Sequence, residues 1–135
     1  MKKLIMLAGI LFISCAACVA RAEENMSGIW EMDAQSQRTS GLSNYQIIYA
    51  QFGNRLQAAG YFELRGVSCV WSGMGTVKGS AVEHTVTFSK RYPDPAWKGA
   101  DGRYVLTLSP DGRTLTGTWC NNNGDSGPIG FVKRK

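Results

Sequence analysis

From residue 25 onward, apolar and polar side chains alternate one by one instead of recurring every three or four positions. In Ala81–Lys90, Val82, His84, Val86 and Phe88 share one parity, and Glu83, Thr85 and Thr87 share the other. Arg103–Ser109 sets Tyr104, Leu106 and Leu108 against Val105, Thr107 and Ser109, and Arg113–Trp119 sets Leu115, Gly117 and Trp119 against three threonines. Arg55–Leu64 offers Leu56, Ala58, Gly60, Phe62 and Leu64 on one side. Successive side chains of a strand point to opposite faces, so this pattern predicts strands with one face buried and one in water.

Glycine, proline, asparagine and aspartate punctuate the runs, which is the rhythm of an antiparallel meander. Four further strands are predicted at Gly28–Met32, Tyr45–Phe52, Val67–Lys78 and Ile129–Lys133, with a bulge or bend at Gly73 and Gly75 in the third of these. Tight turns fall at Gly53-Asn54, Arg65-Gly66, Gly79-Ser80 and Pro110-Asp111-Gly112. Loops are expected at Asp33–Asn44, Arg91–Gly102 and Cys120–Pro128. No connection is long enough for the crossover helix of a βαβ unit. The predicted fold is all-β: eight sequential antiparallel strands closing into an up-and-down barrel, which removes exposed edges, with a two-sheet sandwich as the alternative.

Residues 1–22 lie outside this pattern and read as a signal peptide. Lys2 and Lys3 precede the apolar run Leu4–Ile13, and Ala20-Arg21-Ala22 places small residues at the cleavage site, so the exported chain starts at Glu23 and forms one domain, 23–135. The apolar run is too short and diluted to suggest a membrane span. Phe12-Ile13-Ser14-Cys15 and Cys15-Ala16-Ala17-Cys18 resemble a lipobox, which leaves a lipid anchor at Cys15 or Cys18 as the variant reading. The localisation implied is periplasmic or secreted. The chain has 15 basic and 10 acidic residues, and the leader takes three of the basic ones. The remaining Lys and Arg are scattered singly, which argues against a nucleic-acid face. Cys69 and Cys120 stay in the exported chain, and one cysteine pair in such a chain suggests a disulfide, stabilising by about 4 kcal/mol in the chain-entropy model.

Gly28-Ile29-Trp30 at the start of the meander, together with Arg134 just past its end, resembles the signature of the calycin superfamily of lipocalins and avidins. The hairpin ending in Leu115-Thr116-Gly117-Thr118-Trp119 is similar to units common in small exported bacterial barrels. The resemblance implies that Trp30 packs beneath Arg134 to close the barrel, and that a cup for a small apolar ligand lies at one end. Ser40-Gly41-Leu42-Ser43-Asn44-Tyr45 resembles, with one residue more, the SGxxY motif of the MliC-type lysozyme inhibitors, exported barrels that insert this motif into the lysozyme cleft.

Candidate chemistry is sparse. Gly124-Asp125-Ser126-Gly127-Pro128 is similar to the nucleophile motif of chymotrypsin-like proteases, but one glycine is missing and the chain is too short for two barrels around a triad. Cys69, Cys120 and His84 lack metal-ligand spacing, and the Asn121–Asp125 run has one carboxylate, too few for calcium. No metal, cofactor or enzymatic activity is expected. Asn25-Met26-Ser27 matches a glycosylation sequon without consequence behind a bacterial-type leader. His84, the single histidine, is either a hydrogen-bonded core residue or the one titratable group of a cavity. Trp30, Trp71 and Trp119 fill the barrel or line its cup. Tyr92 and Trp97 stand among prolines, as a partner contact or as a plug in the barrel mouth. The function expected is an exported binding barrel that holds a small apolar ligand or presents rim loops to a protein partner. The alternative is an inhibitor of a hydrolase such as lysozyme.

Overall fold

The computed structural model describes residues 25–89 and 101–135, and these form a closed barrel whose eight strands follow chain order. The strands are β1 (Gly28–Met32), β2 (Ser43–Phe52), β3 (Arg55–Leu64), β4 (Val67–Lys78), β5 (Ala81–Phe88), β6 (Gly102–Leu108), β7 (Thr114–Asn121) and β8 (Ser126–Lys133). Each pairs antiparallel with the next, and β1 closes on β8 through Trp30↔Lys133, Glu31↔Val132 and Met32↔Phe131. The expected up-and-down barrel is therefore the fold, and the sandwich is not. Val82, His84 and Val86 of β5, Tyr104, Leu106 and Leu108 of β6, and Leu56, Ala58 and Phe62 of β3 are all buried, on the parity that alternation assigns.

Short turns set the register. Gly53, Gly79 and Gly112 take positive φ, and so do both Arg65 and Gly66, the conformation a two-residue hairpin demands. The expected loop at Cys120–Pro128 is shorter than its composition suggests, because β7 runs on to Asn121 and β8 starts at Ser126. Asn121 makes this possible: its side-chain oxygen accepts the backbone N–H groups of Asn123 and Asp125, each at 3.0 Å. In β4 the predicted irregularity is not a bulge but an interruption of the β4–β5 ladder at Gly73-Met74. The register with β5 is the same on both sides of Gly73-Met74, and at that step the Thr85 hydroxyl bonds the backbone N–H and C=O of Met74. A Cβ on Gly73 would lie 1.8 Å from the Thr85 carbonyl oxygen, so only glycine lets the two backbones approach there.

The segment expected as a loop at 33–44 contains a seven-residue helix, α1 (Ala34–Ser40). It has no apolar stripe, and its ends define it. Asp33 caps the first turn by accepting from the Ser36 N–H at 2.7 Å, and Gly41 ends the helix in the left-handed conformation with its N–H on Gln37 O. The helix docks where β1 ends. Asp33 N–H donates to Gly130 O, and the Ser36 hydroxyl accepts from Gly130 N–H at 2.9 Å. Both peptide groups of Gly130 on the edge of β8 beyond β1 are thus satisfied.

Candidate functional site

The two ends of the barrel differ. At the end carrying the β2–β3, β4–β5 and β6–β7 turns, Met26 and Trp30 are fully buried, and the Trp30 indole N–H donates to Met26 O at 3.0 Å. Gln51 holds this plug in place by accepting from Met26 N–H at 2.7 Å. The cation above Trp30 is Lys133, its Nζ 5.7 Å from the ring centroid. Arg134, expected in that role, instead lies on the outside. Its Nε sits 3.1 Å from Glu31 Oε1 and its N–H bonds Ile29 O, because alternation past the inward Lys133 turns position 134 outward. Arg134 thus ties the β1–β8 seam from outside.

The middle is filled by aromatic rings joined by hydrogen bonds. Trp71 stacks on His84 at 5.5 Å, and Tyr104 meets both at 5.6 and 5.2 Å. Space for Trp71 comes from Gly60 directly opposite on β3, where a Cβ would fall 2.0 Å from the indole. His84 Nδ1 lies 2.9 Å from Thr85 O, which can only accept, so this nitrogen carries the proton; Nε2 then accepts from the Tyr49 hydroxyl at 2.7 Å. The Trp71 indole N–H donates to the Tyr45 hydroxyl at 2.7 Å, and the Tyr45 and Tyr104 hydroxyls bond each other. Burial strips solvent from these groups. It depresses the His84 pKa to about 4, against the weaker opposing effect of the Thr85 carbonyl, and it pushes Tyr45, Tyr49 and Tyr104 well above the usual phenol range.

At the opposite end the barrel opens into a cavity of about 380 Å³. Met32, Leu42, Phe62, Leu64, Phe88 and Ile129 form its apolar wall, and Tyr104 and Trp119 add two further aromatic rings. The α1 hydroxyls of Ser36, Thr39 and Ser40 border one side, and none of the described lining side chains is charged. The site is built from strand ends: Phe88 ends β5, Tyr104 is the third residue of β6 and Trp119 the sixth of β7. Rigid paired strands hold these side chains, so the cavity is preformed.

Among the tryptophans singled out from sequence, Trp119 lines this cavity while Trp30 and Trp71 belong to the core. His84 is a core residue on an inner strand face, 2% exposed, and not a cavity residue. Tyr92 and Trp97, with most of the loop proposed as a rim contact, lie outside the described residues, as do residues 1–24 with Cys15 and Cys18. Cys69 and Cys120 are not bridged, contrary to expectation. Cys69 faces the core from β4, Cys120 is exposed on β7, and strands β5 and β6 stand between them. A disulfide needs Cβ atoms about 4 Å apart, which opposite faces of a barrel wall cannot supply.

The protease-like and inhibitor-like motifs are also dispersed. Ser126 is exposed at the start of β8 while His84 is inside the barrel, bonded to Tyr49 and Thr85. Tyr45 of the SGxxY-like stretch is 2% exposed, with its hydroxyl engaged by Trp71 and Tyr104, so it is not displayed to a partner. Among the described residues no helix is long and apolar enough to cross a membrane, and no cluster of three or more His, Cys, Asp or Glu side chains could hold a metal.

Sequence reasoning missed the contribution of α1, because a polar seven-residue helix has no periodic signal. It also missed Leu42, which follows that helix. Phe62, Phe88 and Tyr104 were identifiable as inward residues, and their position near strand ends marks them as cavity residues. A scan against models of known protein families and a search of curated proteins both give no match.

Proposed function

We propose that this protein is an exported, non-catalytic binding barrel that holds one small, mostly apolar molecule in its open end. The observation that carries the reading is the preformed cavity of about 380 Å³, walled by apolar strand residues. That size is at the low end of the range for small-molecule sites, about 300–1,000 Å³. A ligand entering it exchanges water for Phe62, Phe88 and Trp119 surfaces at little ordering cost, because paired strands already fix the walls. The leader-like segment 1–22 supports action in the periplasm or outside the cell.

Titration with the neutral fluorescent probe N-phenyl-naphthylamine tests this directly. Saturable binding at one site is expected, and Leu64→Trp, which fills the mouth from a partly buried position, should abolish it while the melting temperature stays close to the parent's. Equal probe binding by Leu64→Trp would place the apolar site elsewhere, such as on the outer strand face that exposes Ile48 and Met74, and would overturn the proposal.

A further inference from the structure

We propose that Tyr104 offers its phenolic hydrogen to the inner end of the cavity, and so selects a neutral ligand with a single hydrogen-bond acceptor, a carbonyl or ether oxygen, on an otherwise apolar body. This rests on the reading of the cavity as a ligand site, and it follows from counting protons in the Trp71–Tyr45–Tyr104 chain.

Two phenols bring two hydroxyl hydrogens, and only one can lie between the two oxygens. Trp71 contributes a third hydrogen, which must point to Tyr45 because an indole nitrogen only donates. If Tyr104 donated to Tyr45, the Tyr45 oxygen would accept twice. Its own hydrogen would then sit in the packed core among Phe62 and Phe131, whose ring centroids are 4.9 and 5.3 Å away, with no acceptor among the described residues. If Tyr45 donates to Tyr104, the surplus hydrogen is carried by Tyr104, and Tyr104 lines the cavity whereas Tyr45 does not. The second arrangement wins, because a buried donor without a partner is costly and a cavity offers that donor a place to find one.

The surroundings narrow the ligand further. Tyr104 is 8% exposed, so its hydroxyl is shielded from bulk water, and burial keeps it protonated throughout the physiological range. With no charged side chain among the described lining residues, a carboxylate would lose its hydration without a counter-charge from them. A carbonyl or ether loses far less and gains the Tyr104 bond.

The full exported chain can be titrated calorimetrically with three probes of closely similar shape: benzylacetone (a ketone), butylbenzene and phenylbutyrate. Benzylacetone should bind most tightly and phenylbutyrate at pH 7 most weakly. Tyr104→Phe should weaken benzylacetone about three- to tenfold, the worth of one neutral hydrogen bond, and leave butylbenzene unchanged. Tyr45→Phe should keep the preference for the ketone, which separates donation by Tyr104 from a general effect on the core. The carbonyl stretch of bound benzylacetone should shift to lower frequency in the parent and not in Tyr104→Phe. Equal loss of ketone and hydrocarbon in Tyr104→Phe, or tightest binding by phenylbutyrate, overturns the assignment and leaves the apolar site intact. Failure of all three probes to bind overturns the ligand-site reading along with it.

Discussion

His84 commits both ring nitrogens inside the barrel, one to the Thr85 carbonyl and one to the Tyr49 hydroxyl, and its ring faces Tyr49, Trp71 and Tyr104. No charged side chain is among these contacts, so nothing compensates a positive charge there, and burial pulls its pKa from 6.5 to about 4. The unfolded chain therefore takes up a proton near pH 6.5 that the folded chain refuses until about pH 4. Stability contributed by the neutral ring is complete above pH 6.5 and is lost as pH falls through this window, by about 3 kcal/mol in all. Chemical denaturation at stepped pH values should show this decline, and His84→Gln should flatten it relative to the parent. A parent and variant that lose stability in parallel between pH 6.5 and 4 would refute the account. Trp119 and Trp71 show a second lesson at this scale. Both alternate inward, yet one lines the cavity and the other is sealed by Tyr45 and His84, a difference set by depth along the strand.

At the scale of elements, β3 and β4 are matched through one small residue. Gly60 faces Trp71 across the ladder, and the indole occupies the space a side chain would need. Gly60→Ala should force Trp71 off its bond to Tyr45 and cost about 1–3 kcal/mol by overpacking, measurable as a lower urea midpoint with a shifted tryptophan emission. An unchanged midpoint would show that Trp71 has slack the geometry denies. The eight strands were legible in the sequence because alternation and turn residues act locally: β1, β3 and β4 have the expected bounds, the last two set by the turns at Gly53-Asn54, Arg65-Gly66 and Gly79-Ser80. Helix α1 was not, because its stability comes from the Asp33 cap, the Gly41 terminus and docking on Gly130, not from an apolar face. The cysteine pair misled for a related reason. Counting two cysteines says nothing about parity, and Cys69 and Cys120 fall on opposite faces. The candidate site was half legible. Its inward aromatics follow from alternation, whereas Leu42 and the α1 hydroxyls depend on a docking that no local pattern announces.

At the scale of the molecule, an eight-stranded barrel has room either for its own side chains or for one small ligand. This one divides the choice along its axis, with Trp30, Trp71 and His84 filling one part and the cavity occupying the other. Its wall is uneven. The β3–β4 ladder holds ten residue pairs and the β1–β8 seam three. Every other pairing joins neighbours in sequence, while the seam joins strands roughly a hundred residues apart, so it carries the largest loop-closure cost for the fewest bonds. In native-state hydrogen exchange, the amides of Asp33 and Arg134, which bond Gly130 and Ile29 across this seam, should open well before those between β3 and β4. Uniform protection would rule out a weak seam. Met32 is both the last β1 residue of the seam and part of the cavity wall. Opening of β1 away from β8 would therefore remove part of the cavity wall, which ties the shape of the open end to the least-paired stretch of the barrel.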